Sequence, residues 1–158
     1  MSRGIGLVCL TATALALAGC GGTTKTKYPP GVIPPKPPPP LKAVTYNITL
    51  ASAAGGAPGG TGLATISVVP TSSSTGELCW RFSELTNVTS PTVAVIGLYI
   101  PHGASTHGSP LGRHYTASGC MPAPGAFLRR LGAYPKRYFI SIHTAQYPGG
   151  AVIGAVAG

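Results

Sequence analysis

Apolar and polar residues alternate with period two along several short stretches of this chain. Val44, Tyr46, Ile48 and Leu50 are interleaved with Thr45, Asn47 and Thr49. Ala64, Ile66 and Val68 are interleaved with Thr65 and Ser67, and Leu78, Trp80 and Phe82 with Cys79, Arg81 and Ser83. Successive side chains of a strand point to opposite faces, so each stretch predicts a half-buried strand with its apolar set turned to a core. Residues 93–100 are a nearly unbroken apolar run, the pattern of a strand buried on both faces. Tyr138, Ile140 and Ile142 alternate with Phe139, Ser141 and His143, which predicts a strand whose two faces meet different surroundings. Tyr147-Pro148-Gly149-Gly150 then supplies one fixed φ and two residues free to take positive φ, so the chain should reverse into a last apolar strand over 151–157.

Gly- and Pro-rich stretches at 55–62, 70–76 and 87–91 punctuate these strands, and only residues 126–131 read as a brief helix. Short strands, frequent turns and no helix of useful length predict an all-β domain. The expected architecture is an antiparallel β-sandwich or barrel, immunoglobulin-like or Cu/Zn superoxide dismutase-like. Trp80, Phe82, Ile140 and Ile142 are expected in its core. Residues 41–158 suffice for one such domain and are too few for two comfortable ones.

What precedes the strands is different in kind. Arg3 carries the one charge ahead of an uncharged apolar run at residues 5–17. That run is well short of the roughly 20 residues a membrane-spanning helix needs, and reads as an export signal. Leu17-Ala18-Gly19-Cys20 resembles the bacterial lipobox, in which the cysteine thiol is acylated and becomes the first residue of the mature protein. An ordinary secretory signal with a chance cysteine is the alternative. Eight prolines follow among residues 29–40, with almost nothing to bury. At about 3.1 Å per residue in polyproline II, they would form a stiff spacer roughly 40 Å long. The expected organisation is a lipoprotein signal peptide over 1–19, a lipid-anchored Pro-rich linker over 20–42 and a β domain over 43–158. The expected location is extracytoplasmic, on the membrane of a bacterial envelope.

Charge narrows the partners. The chain is formally +9, with Glu77 and Glu84 as its only carboxylates, so past Glu84 every charged side chain is basic. Arg113, Arg129, Arg130, Lys136 and Arg137 accumulate there, which favours anionic polymers or membrane surfaces. Nucleic acid is not expected, because no stacking aromatics are interleaved with these residues in a recognisable motif. A solvated face that keeps the protein soluble is the plainer alternative.

Chemistry-bearing residues are few. Cys79 and Cys120 remain as a pair once Cys9 leaves with the signal and Cys20 takes lipid, and in an exported domain a disulfide is expected, with free or metal-binding thiols as the alternative. His102, His107, His114 and His143 are the residues a metal site would draw on, and copper or zinc would suit imidazole. No aspartate exists to orient such a ligand set, so no metal cofactor is expected. Glu77 and Glu84, seven apart, fall on opposite faces of a regular strand and cannot pair for glycosidic chemistry. Ser141 and His143 share a face, but positions two apart on a strand stand about 6 to 7 Å apart. No third group to orient the imidazole can be named, so no catalytic residues and no enzymatic activity are expected.

The closing stretch, with His143-Thr144, Pro148-Gly149-Gly150 and Gly154, resembles the closing motif of the chordin-type (CHRD) domain. Gly60-Thr61-Gly62-Leu63-Ala64, residues 78–85, His102-Gly103-Ala104 and Gly108-Ser109-Pro110 are similar to earlier landmarks of that family, in the same order. The chain departs from it in two places. Tyr99-Ile100-Pro101 stands where the family has His-Ile-His, and Ala151-Val152-Ile153 where it has Glu-Ile-Arg, which leaves His143 as the matched histidine. Animal members are secreted proteins that bind growth factors, so the resemblance implies binding before catalysis. The expected function is a non-enzymatic envelope lipoprotein whose CHRD-like domain engages anionic envelope components or proteins. The alternative is a copper- or zinc-dependent redox protein of superoxide dismutase-like fold. Wild-type protein is expected in the detergent phase with fatty acid incorporated, and Cys20→Ala in the aqueous phase. A Cys20→Ala protein that stays with the membrane would refute the anchor.

Overall fold

The structure, a computed structural model, describes residues 36–99 and 108–157. The expected signal peptide, Cys20, most of the proline stretch, His102 and His107 lie outside the described residues. The alternating stretches become strands β1 (Val44–Ser52), β2 (Thr61–Pro70), β3 (Thr75–Thr86) and β4 (Pro91–Leu98). Then come β5 (Gly108–Pro110), β6 (Ser118–Pro124), the helix α1 (Gly125–Ala133), a 3-10 turn (Pro135–Arg137), β7 (Tyr138–Thr144) and β8 (Val152–Ala155). All pairings are antiparallel, in one eight-stranded sheet of order β5-β4-β7-β8-β1-β2-β3-β6. The sheet curls into a half-barrel, so the all-β expectation holds.

The curl has a thin seam and a strap. β8 meets β1 through only two residue pairs, Ala51 with Ile153 and Ser52 with Val152. Gly154 allows that approach, because a Cβ there would lie 2.5 Å from the Thr49 carbonyl oxygen and 2.6 Å from Ile48 Cγ2. On the other side, residues 111–117 cross from β4 to β3. The Leu111 and Tyr115 amides donate to Ala94 O and Thr92 O, both at 2.8 Å, while the Phe82 amide donates to Ala117 O at 2.7 Å. Trp80 Nε1–H donates to Thr116 O at 3.2 Å, and the Tyr115 ring stacks on Phe82 with centroids 5.8 Å apart. The strap therefore ties together parts of the sheet that ladder hydrogen bonds leave apart.

The core lies inside the curl. Ile48, Leu50, Ile66, Val68, Leu78, Trp80 and Phe82 enter from β1 to β3, and Ile96, Ile140, Ile142 and Val152 from the other half. Helix α1 covers one end with Leu128 and Leu131, three positions apart on one face, and Phe127 meets Tyr138 edge-on at 5.7 Å. Leu41 packs against the same core, so packing begins a few residues ahead of the first strand. Among the described residues, no helix is long and apolar enough to cross a membrane.

Two strands trade the burial predicted for them. β4 is not buried on both faces: Ala94 and Ile96 are buried, but Val93 and Val95 on the outside are only partly covered. Its outer neighbour β5 is three residues long and shields little. β7, between β4 and β8, is instead buried on both faces, Phe139 and Ser141 included. Tyr99 packs its ring against Phe139, with centroids 5.2 Å apart. β6 was not legible as a strand, since Pro122 and Pro124 argue against one. It is an edge strand, where a missing amide donor costs no ladder bond.

β3 is also less regular than expected. Thr61 pairs with Thr86 but Leu63 with Ser83, so β3 carries an extra residue there, and Glu84 takes φ of 54°. Leu85 turns inward towards Gly62 as a result. The strict alternation assumed for Glu77 and Glu84 therefore breaks at Glu84. Cys79 and Cys120 face each other directly across β3 and β6 and form the expected disulfide. It closes a loop of 41 residues, which in the chain-entropy account stabilises the fold by about 4 kcal/mol. Denaturant titrations should show reduced protein, or Cys79→Ser with Cys120→Ser, less stable by roughly that amount. No loss on reduction would mean that the bridge constrains nothing.

Candidate functional site

Hydrogen bonds at the end of β7 build a small polar device on its outer face. The turn forms because Tyr147 N–H donates to Thr144 Oγ1 at 3.0 Å, Thr144 N–H to Tyr147 O at 3.3 Å and Gly150 N–H to Tyr147 O at 3.1 Å. Gly150 takes φ of 122°, which glycine adopts without strain, and Ala151 N–H then returns to Ile142 O at 2.7 Å. This turn carries the Pro148 carbonyl to His143 Nδ1, 2.6 Å away. A carbonyl only accepts, so Nδ1 carries the ring proton and, in the neutral imidazole, Nε2 presents a lone pair. That lone pair meets the Ser141 hydroxyl, with Oγ 2.8 Å from Nε2.

The sequence expectation for this pair is thereby corrected. Backbone spacing kept Ser141 and His143 apart, but the two side chains converge into a hydrogen bond, and the missing orienting group is a main-chain oxygen. Ser141 is only 3% exposed, and it and Thr144 are the buried polar side chains among the described residues. His143 is half-buried, and Thr92 Oγ1–H donates to its carbonyl at 3.2 Å. Val95 of β4 and Ile153 of β8 flank Ser141 in register. With Ala53, Gly108, Phe139 and Gly149 they line a groove of about 310 Å³ that reaches both Ser141 and His143.

Of the other candidate ligands, His114 stands apart from this site, and His102 and His107 lie outside the described residues. His114 is exposed on the strap, beside Arg113, Trp80 and Cys120 in a different surface hollow. Among the described residues, the one group of three metal-type ligands is Glu77 with Cys79 and Cys120, and the disulfide removes both thiolates from it. The copper or zinc alternative thus rests on His102 and His107, outside the described residues. The motif residues themselves are placed: His143 and Thr144 anchor the turn, Pro148 orients the imidazole, Gly149 lines the groove, Gly150 makes the turn and Gly154 admits the seam.

The basic residues form a second feature. Arg129 and Arg130 stand on α1, and Lys136 and Arg137 on the turn that follows it. Lys42 and Arg129 line a shallow hollow with Leu41, Leu128 and Gly132. Burial pushes the Tyr138 hydroxyl above its ordinary pKa, and the nearby guanidinium groups of Arg130 and Arg137 pull it partly back.

Fold and groove together define a disulfide-bonded antiparallel half-barrel with a polar clip on the outside of β7. No family model, curated protein or solved structure matches the chain. His143→Ala should lower stability by about 1 to 3 kcal/mol, because it leaves the buried Ser141 hydroxyl without its acceptor. Ser141→Ala should cost less, since the half-buried imidazole can turn to water. Urea midpoints with unchanged slopes would measure both, and equal costs would contradict this ordering.

Proposed function

We propose that this chain is a lipid-anchored envelope protein whose chordin-type β domain binds anionic polymers through the end formed by α1 and the turn after it. The observation that carries the reading is the grouping of Arg129, Arg130, Lys136 and Arg137 on one helix and turn, with Lys42 beside Arg129 and no carboxylate beyond Glu84. Arg130, Lys136 and Arg137 are exposed, and Arg129 is tethered only by Nη1 donating to Ser73 O at 3.4 Å. Cations held on packed elements and left without anionic partners create a local positive potential that a polyanion can neutralise. The lipobox and proline spacer would present this surface at the membrane, where phosphate-bearing envelope polymers are the abundant anions.

The interaction has a checkable signature. Exposed charge pairs are screened over about 8 Å at physiological salt, so binding should weaken steeply as salt rises. Immobilised poly(glycerol phosphate) should retain the soluble domain at low salt and release it as salt increases. Replacing Arg129, Arg130, Lys136 and Arg137 by Gln should abolish retention without altering the far-ultraviolet spectrum. Equal retention of that variant and wild type would defeat the proposal.

A further inference from the structure

The groove over β7 supports a chemistry beyond polymer binding. We infer that Ser141 is an activated nucleophile, with His143 as its general base, and that the groove accepts small uncharged esters of short carboxylic acids. Three observations carry this. Ser141 Oγ lies 2.8 Å from His143 Nε2, within the range for proton transfer. The Pro148 carbonyl at Nδ1 fixes the tautomer that makes Nε2 the acceptor, the positioning role an acidic residue fills in a serine triad. The groove opens on both residues and is walled by Val95, Phe139, Ile153 and Ala53, a surface that suits a short acyl chain and carries no charge to hold an ionic substrate.

The step balances without any added redox partner. Ser141 Oγ bonds to the acyl carbon as its proton passes to Nε2, and the ester C–O bond breaks as the imidazolium returns that proton to the departing alkoxide. Water, deprotonated by the same nitrogen, then attacks the acyl-serine and releases the carboxylic acid. As the Oγ–acyl bond breaks, the imidazolium passes water's proton to Oγ; the original serine proton has left with the alcohol, so Ser141 and His143 are regenerated, and Pro148 O holds Nδ1–H throughout.

A buried serine bonded to a histidine is also what a purely structural clip looks like, so the test must read reactivity in the folded state. Native protein is incubated with an alkyl fluorophosphonate, whose fluoride a nucleophilic serine displaces, and separately with p-nitrophenyl acetate. Intact and peptide mass spectrometry should find one adduct, on the peptide containing Ser141, and none in Ser141→Ala. His143→Gln, which keeps hydrogen-bonding capacity but not basicity, should slow labelling by about 100-fold or more. Thermal melts run beside each variant confirm that it is folded. Folded wild type that stays unlabelled, an adduct that persists in Ser141→Ala, or wild-type labelling rates in folded His143→Gln would each overturn the assignment. Polymer retention through the α1 end does not depend on either result.

Discussion

A strand buried on both faces cannot carry an unpaired polar group, and the rest of this domain is arranged around that constraint on β7. Ile140 and Ile142 fill the inside of the curl, while Phe139 and Ser141 are buried on the outside. Ser141 therefore needs an acceptor that water cannot provide, and an unmade hydrogen bond there would cost about 1 to 3 kcal/mol. His143 supplies the acceptor, and its other nitrogen must then find one of its own. The turn at 147–150 meets that need by bringing a carbonyl back over the strand, and Thr144 closes the same turn from its other side. No buried side-chain nitrogen or oxygen among the described residues is left without a partner.

The same turn sets where β8 lies, and β8 sets the seam. Once Ala151 N–H returns to Ile142 O, the following residues pair with β7 in register and approach β1 at Gly154. A joint of two residue pairs is a weak link in a sheet of eight strands. It is relieved by the strap at 111–117 and by core residues that enter from both halves. The two outer edges are handled differently. β5 is too short to template another strand, and β6 carries two prolines and a disulfide to β3, so neither offers a long free edge.

The inner face of the curl was legible in the sequence because burial there follows the period of two that strand geometry imposes. Ile48, Leu50, Ile66, Trp80, Phe82, Ile140 and Ile142 are all core residues. The outer face was not, because its burial depends on which neighbours flank each strand, and strand order is a long-range property that no local pattern carries. Hence β7 rather than β4 is the doubly buried strand. β6 was hidden by prolines whose cost vanishes at an edge. The clip was hidden for two reasons. Side chains two apart can lean together although their backbone positions stand apart. And the orienting oxygen belongs to the backbone, so no residue type announces it; the one signal was the Pro-Gly-Gly turn, placed where its carbonyls must come back over the strand that enters it.

In the ground state, a structural clip and a nucleophile with its base have the same donor, acceptor and distance. Stability alone explains the contact here, since Ser141 is buried and His143 satisfies it. What stability does not require is a groove lined by both side chains beside apolar walls. A clip serving only to satisfy Ser141 works as well when Val95, Ile153 and Gly149 close over it, and filling that space would add packing at no polar cost. The positive end at α1 raises the same question and answers it differently. Among the described residues no ion pair explains the grouping of charge there, so the case for binding rests on cations left without carboxylate partners. At β7 the polar atoms are fully paired, and the case for chemistry rests on the space left next to them.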